Sequence, residues 1–392
     1  MHALIPFCTS VPSPTFYQDF VEGLESALAE LGHSSERFEF REIGALAQQE
    51  LERFFSWGRT ARCDLVLDLC CWGFALSRVR LWDGGSEVGP TIFDSFGAHY
   101  AALLFDQPFF QPIPVLQSAS LLLCHPDRNH PELIGSLYPT LEARAMLFVP
   151  PATRRENDRS PERWSDRRTP VLYAGNLAPG AIEPFWPDEP RRRLYDGAAA
   201  VIDARPEVPL HRAIEEVRRA LGLELAQEER LTAHRTLEYF LRHRLRHRLV
   251  TSMAAAGLPI EVYGSGWDGV ALPANVNVHP ATDYRAYMDL IGDARICLDA
   301  STYLGGANDR VVQFATNGTV FFSNAREYLY EAFGEDAGFY SPLDFADAAD
   351  RIRDLLARPA ELEARSGRLR ERALGGHLWR HRLETILGAT GT

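Results

Sequence analysis

The chain has 392 residues, 46% of them hydrophobic, and a formal net charge of −12. That length predicts two or three domains, each with a full apolar core. The acidic balance argues against broad binding to nucleic-acid phosphates, and no apolar run approaches the about 20 residues of a membrane span.

Ala3–Phe7 is predicted as a first buried strand; without a basic n-region before it, the segment is no signal peptide. Thr15–Leu31 has helical spacing of its apolar residues, Arg37–Phe40 alternates, and Ala45–Trp57 is a second helix. Cys63–Cys70 is nearly continuous in apolar residues, as buried parallel strands are. Ile92–His99 is predicted as a short helix feeding a strand at Tyr100–Phe105, which ends in Asp106-Gln-Pro108. Strands at Ala119–Cys124, ending in His125, and at Met146–Val149 follow. The charged, aperiodic stretch Thr153–Thr169 is the linker candidate.

Beyond it, Pro170–Ala174 is a strand that ends at Gly175-Asn176. A helical insertion is expected over about 180–257, with Gly197, Pro206 and Gly222 as punctuation. Strands at Ile260–Tyr263, Val276–His279, Arg295–Ser301 and Thr319–Ser323 complete a second parallel sheet, and helices follow at Ala346–Leu356, Ala360–Leu374 and His377–Leu387. The rhythm predicts an α/β protein of two Rossmann-like halves with a cleft between them: residues 1–152, residues 165–375, and a last helix at 376–392 packing back towards the first half through Leu378, Trp379, Leu383 and Ile386.

All 41 basic residues are arginines. Lysine Schiff-base chemistry and a Walker-type lysine are therefore excluded, and any anion must be held by Arg, backbone N–H groups or hydroxyls. The six cysteines, at 8, 63, 70, 71, 124 and 297, lack CxxC spacing and predict buried free thiols in a reducing, cytoplasmic setting. His243 and His247 have the i, i+4 spacing of a zinc helix, but Arg-Leu-Arg lies between them where a general-base Glu belongs. No metal site is expected.

The loop from Thr302 to Asp309 carries Gly305, Gly306 and Asn308 ahead of a helix opening with Arg310. In open parallel sheets ligands bind beyond the carboxyl ends of strands, where helix N-termini present free N–H groups, so Asn308, Asp309 and Arg310 are candidates to hold a diphosphate. The bland alternative is an N-cap with a solvated arginine. Tyr263, Trp267, Pro280 and Tyr284 lie at strand ends where a nucleobase docks, or else they pack the core. Asp106 and His125, each ending a buried strand, are the candidate general bases, with His99 a weaker third.

Tyr263-Gly-Ser-Gly-Trp267, Asp283-Tyr284 with Tyr287, Arg310–Gly318 and Trp379–Arg382 together resemble the donor half of GT-B glycosyltransferases, in particular the spore-maturation (CgeB-like) branch with its "YGxGW", "DY…Y", "RVFEALAxG" and "W…R" motifs. The resemblance covers about 260–392, is weaker over 100–152 and poor over 180–250. It implies two facing Rossmann-like domains and a nucleotide-diphosphate sugar as co-substrate, with no other cofactor and no obligatory metal. It also implies a close approach of Gly175 and Asn176 to the diphosphate. The acceptor is open among protein, glycan and small molecule; nucleic acid and membrane are not expected partners. Retaining members often carry Glu-x7-Glu at the helix, whereas this chain has Gly305 and Gln313. Gln313 retains a carbonyl oxygen for a ribose hydroxyl, without charge. A non-catalytic nucleotide-binding relative and a nucleotide-sugar epimerase are the alternatives.

Overall fold

The computed structural model describes residues 1–10, 14–41, 48–60, 62–73, 96–111, 113, 120–154, 164–186, 189–324 and 327–391. Two compact units emerge: Met1–Arg154 joined by His377–Thr392, and Arg155–Gly376.

In the first unit, six parallel strands lie in the order β2-β1-β3-β4-β5-β6. They are β1 (His2–Cys8), β2 (Ser34–Phe40), β3 (Leu65–Leu69), β4 (His99–Leu103), β5 (Leu121–His125) and β6 (Ala145–Phe148). The middle strands are buried on both faces, which is why Leu65–Leu69 and Leu121–Cys124 are unbroken apolar runs apart from Asp68. Helix α1 (Pro14–Glu30) buries Phe20, Val21, Leu24, Ala27 and Leu28, one helical stripe. His99 opens β4 rather than closing a helix, since it pairs with Leu65; residues 92–95 of the expected helix lie outside the described residues. Helices α2 (Gln48–Thr60) and α3 (His130–Leu137) complete the described helices before the second unit, and the second of these was not anticipated.

The second unit has six parallel strands in the order β12-β11-β10-β7-β8-β9. They are β7 (Thr169–Ala174), β8 (Ile260–Tyr263), β9 (Val276–His279), β10 (Ala294–Asp299), β11 (Val320–Ser323) and β12 (Gly338–Phe339). Counted from β7, this is the doubly wound order 3-2-1-4-5-6, and the order reverses between β7 and β10. Between β7 and β8 the chain makes α4 (Glu189–Ala204), α5 (Leu210–Ala220) and the 29-residue α6 (Gln227–Ala255). These helices share a core of Trp186, Leu194, Tyr195, Ile214, Leu237 and Phe240. Helices α7 (Tyr284–Asp293), α8 (Asp309–Thr316), α9 (Glu327–Phe333), α10 (Phe345–Leu356) and α11 (Pro359–Gly376) complete this unit.

The linker expectation over 153–169 fails at its far end. Residues 155–163 lie outside the described residues, but Trp164 and Arg167 are buried. The Arg167 guanidinium donates to the Ala294 and Asn317 carbonyls and to the Thr319 hydroxyl, so this charge is a core group held by three acceptors.

The last helix, α12 (Trp379–Thr390), belongs to the first unit. Its buried Trp379, Leu383 and Ile386 sit at helical spacing, and the Trp379 ring meets Phe20 and Phe105 at 5.4 and 6.1 Å. Gly23 of α1 permits this approach, because a Cβ there falls 2.5 Å from the indole. Arg382 donates to the Pro150 carbonyl at 2.8 Å. All six cysteines are buried free thiols, and among the described residues no helix is long and apolar enough to cross a membrane.

Candidate functional site

The switch point of the second sheet, between the carboxyl ends of β7 and β10, is where a doubly wound fold leaves a crevice for a ligand. Gly175 and Asn176 follow β7; Ala300 and Ser301 follow β10. Two tight glycine turns build the β7 side. Gly266 has φ +83°, and a Cβ there sits 2.0 Å from the Leu177 carbonyl oxygen. Gly264 abuts Gly175 in the same way, at 2.4 Å from its oxygen. The 175–177 and 264–266 segments therefore run in contact, tied by Leu177 N–H to the Ser265 carbonyl and by Ser265 N–H to Asn176 Oδ1 at 2.9 and 3.0 Å.

Asp299, fully buried at the end of β10, organises the other side. It accepts from Asn308 Nδ2 and Ser323 Oγ, both at 2.7 Å, and lies 3.3 Å from Arg310 Nη2. Arg310 also donates to the Ala174 carbonyl at 2.9 Å and more weakly to the Ala300 carbonyl at 3.4 Å. Burial lowers the guanidinium pKa; the Asp299 carboxylate, with Tyr173, Tyr287 and Asp309 adding to it, outweighs that and holds Arg310 above the ordinary range. Arg310 is thus a permanently charged group anchored across both sides of the crevice, with Nη1 3.1 Å from where a Gly175 Cβ falls. Gly175 and Arg310, 135 positions apart in sequence, are brought together.

Asn308 is the N-cap of α8: its Oδ1 accepts from Val311 N–H at 3.3 Å while Nδ2 is held by Asp299. Both polar atoms serve the loop, which is the N-cap alternative. Asp309 Oδ2 accepts from Gln313 Nε2 at 3.4 Å. Gln313 is fully buried, and its Oε1 has no partner among the described residues. Tyr287 Oη, from α7, is likewise buried without a partner.

The four aromatic candidates separate. Trp267 is buried, its indole N–H donates to the Gly175 carbonyl at 2.7 Å, and its ring lies edge-on to Tyr173. Tyr284 is buried under the start of α7. These two rings support the loops and present no free face to a base. Tyr263 is half-buried and stacked on His279 at 4.4 Å, with His279 Nε2 2.5 Å from Glu261. Pro280 is exposed just beyond. Tyr263, His279 and Pro280 form a surface at the ends of β8 and β9.

In the first unit, Asp106 stands half-buried three residues past β4, and its charge acts on the Cys70 thiol. His125, the last residue of β5, is buried, with Nδ1 2.9 Å from the Asp127 carbonyl. That contact makes Nδ1 the protonated nitrogen and Nε2 the basic one. Burial lowers the His125 pKa, the Asp127 carbonyl partly offsetting it. Asp127 Oδ1 caps the turn, accepting from the Asn129 backbone N–H at 2.7 Å. Burial, and Arg144 nearby, also lower the His99 pKa.

Beside Asp106 lies a feature the sequence did not disclose. Cys70 and Cys71 are both left-handed, with φ +52° and +57°, in a tight turn closed by Trp72 N–H to the Leu69 carbonyl. Two consecutive non-glycine residues in that region store strain, which clusters at functional sites. Asp68 accepts from Tyr100 Oη and, at 2.8 Å, from Gly73 N–H.

His243 Nδ1 accepts from the Ala178 N–H at 3.1 Å, and burial with Arg246 and Arg242 nearby holds its imidazole down at about 4. Among the described residues no group of three or more His, Cys, Asp or Glu is placed to hold a metal ion.

Residues 235–388 match a family model described as "Glycosyl transferase-like". No curated protein matches the chain. Among solved structures, AviGT4, a glycosyltransferase involved in avilamycin A biosynthesis, is 14% identical, with a TM-score of 0.51 over 100% of this chain and 97% of that one. An α-glucosyltransferase in complex with UDP and a 13-mer DNA containing a HMU base is 10% identical, with a TM-score of 0.56 over 100% of both chains. The phage T4 β-glucosyltransferase is 9% identical, with a TM-score of 0.51 over 100% of this chain and 99% of that one. The chain has the α/β two-domain GT-B fold, and its residues 235–388 match a glycosyl transferase-like family.

Proposed function

We propose that this protein is a glycosyltransferase that moves a sugar from a nucleotide-diphosphate sugar to an acceptor, without a metal ion. The observation that carries this reading is the switch point of the second unit. There a charged Arg310, the N-terminus of α8 and a glycine that no side chain can replace without shifting its neighbours meet at the ends of β7 and β10. That combination suits a diphosphate, first bound as part of the donor and then released as leaving group. The Tyr263–His279–Pro280 surface is assigned to the base. The unpartnered Gln313 Oε1 is assigned to a ribose hydroxyl, which supplies the donor it lacks. The motif matches favour the CgeB-like branch, the buried thiols a cytoplasmic setting, and the net charge of −12 a protein, glycan or small-molecule acceptor over a nucleic acid.

In the transfer the acceptor hydroxyl oxygen bonds to the anomeric carbon while the bond from that carbon to the phosphate oxygen breaks. The electron pair leaves with the diphosphate, towards Arg310 and the α8 N–H groups. The acceptor's proton goes to a base on the first unit, Asp106 by preference and His125 Nε2 as the alternative. A base of this kind contributes roughly 10²–10⁴-fold, so Asp106→Asn is expected to cut turnover by about that factor with donor affinity nearly intact. Near-normal turnover in both Asp106→Asn and His125→Ala sinks the assignment; collapse of donor binding in Asp106→Asn makes the residue structural.

A second reading has a specific observation behind it: Gly305 and the uncharged Gln313 occupy positions where retaining relatives carry carboxylates, which favours a protein that binds nucleotide without turnover. Incubation with UDP-, GDP-, ADP- and dTDP-sugars separates the readings. Slow hydrolysis supports the transferase, interconversion of the sugars an epimerase, and binding without turnover the non-catalytic relative. Absence of binding across the panel removes the donor site altogether.

A further inference from the structure

The arginines of α6 reach the same switch point from the helical insertion. Arg246 Nη1 donates to the Asn176 carbonyl at 2.7 Å. Its Nε is shut off from solvent with no hydrogen-bond partner, and no carboxylate pairs with the side chain among the described residues. The nearby acidic group, Glu238, spends one carboxylate oxygen on Arg242 at 2.7 Å and the Thr302 hydroxyl at 3.1 Å; its charge acts on Arg246 without a salt bridge between them. Asp299 serves Arg310, Asn308 and Ser323. Burial, with Arg310 and Arg242 close by, lowers the Arg246 pKa against the pull of Tyr173 and, more weakly, of Glu238. A buried cation among like charges, with no carboxylate bonded to it, is stabilised when an anion joins it.

Geometry locates that anion. A Cβ on Gly175 falls 3.0 Å from the Tyr173 hydroxyl and 3.1 Å from Arg310 Nη1, while Arg246 grips the carbonyl of the next residue. Both guanidinium groups act electrostatically on the Tyr173 phenol. Two arginines from different elements thus converge on one turn, and only Arg310 brings a carboxylate with it.

We propose that Arg246 is a second cationic anchor for the donor's diphosphate, delivered to the sheet by the helical insertion and binding phosphate oxygens through the N–H groups that Asn176 leaves free. This rests on the donor reading above. It makes α6 part of the donor site: the helix that carries Phe240 into the insertion's own core carries Arg246, less than two turns on, to the end of β7.

The test is calorimetric titration of the full chain with UDP, GDP and ADP, followed by the tightest of them and its nucleoside on Arg246→Gln and Arg246→Lys. Gln retains an N–H for the Asn176 carbonyl but no charge. The expected result is at least about tenfold weaker diphosphate binding in Arg246→Gln, the scale of a lost charge-assisted contact. Nucleoside affinity should stay within about twofold, and Arg246→Lys should fall between. Unchanged diphosphate affinity in Arg246→Gln overturns the inference and leaves the donor reading intact. Equal loss for nucleoside and diphosphate, or an Arg246→Lys as poor as Arg246→Gln with a lowered melting temperature, makes Arg246 structural. Wild-type protein that binds none of the three diphosphates removes the donor reading and this inference together.

Discussion

Asp299 and Arg310 show how one buried pair sets the geometry of a loop, a strand end and a helix start together. Asp299 has two neutral donors besides the guanidinium, and Arg310 has two backbone carbonyls besides the carboxylate. A pair so satisfied is costly to break from one side, because the partner left behind is a buried charge. Arg310→Ala is therefore expected to destabilise the second unit by about 3–5 kcal/mol as well as to weaken diphosphate binding. Asp299→Asn in the same chain should restore part of the stability but none of the binding. Urea unfolding of both variants checks the first half and titration the second. If Arg310→Ala unfolds at the wild-type midpoint, the pair is not structural.

At the scale of the element, β3 and the turn after it form a strained unit held by one carboxyl group. Asp68 lies inside the sheet, and its contact with Gly73 N–H closes the segment carrying the left-handed Cys70 and Cys71. Burial pushes the Asp68 carboxyl up to about 7, against the opposing pull of the Tyr100 hydroxyl and the backbone N–H groups. The folded pKa lies above the ordinary aspartate value of 3.8, so the folded state holds the proton more tightly than the unfolded chain. Its contribution to stability is fully present below about pH 4 and is lost as pH rises through about 7. Wild type minus Asp68→Asn, measured as unfolding free energy from pH 4 to 8, should fall across that window. A flat difference means Asp68 is ionised in the folded protein. The helical insertion follows a similar logic of packing over charge: α6 carries arginines along much of its length, yet Ala233, Leu237 and Phe240 bind it into the insertion's core.

For the molecule as a whole, the division into units places α12 with the first sheet although it follows the second in sequence. Leu383 and Ile386 are fully buried there. Leu383→Ala removes buried methyl groups and leaves a cavity, a change that costs about 2–5 kcal/mol. Scanning calorimetry should show the first unit's transition lowered while nucleotide affinity, which the donor reading assigns to the second unit, is retained. Loss of nucleotide binding in Leu383→Ala at a temperature where the protein stays folded contradicts that division of labour.

Periodicity and turn chemistry made the α/β class, both parallel sheets and most of the strands legible, because those signals are local. Gly175 and the Asn308–Gln313 segment stood out for the same reason: a glycine after an apolar strand, and a capping residue ahead of an amphipathic helix. Short elements without such signals, α9 and β12, escaped notice. Tertiary structure decided what pairing across long separations decides. The strand order put the ends of β7 and β10 side by side, and with them Gly175, Asp299 and Arg310. Trp267 and Tyr284, aromatic at strand and helix ends, became packing residues once burial was known. Arg167, charged within an aperiodic stretch, became a core residue because three acceptors distant in sequence surround it. For the basic run of α6, helical periodicity states which residues share a face and not what that face meets. Only the fold sets Arg246 against Asn176, 70 residues away, where burial without a carboxylate gives its charge a consequence.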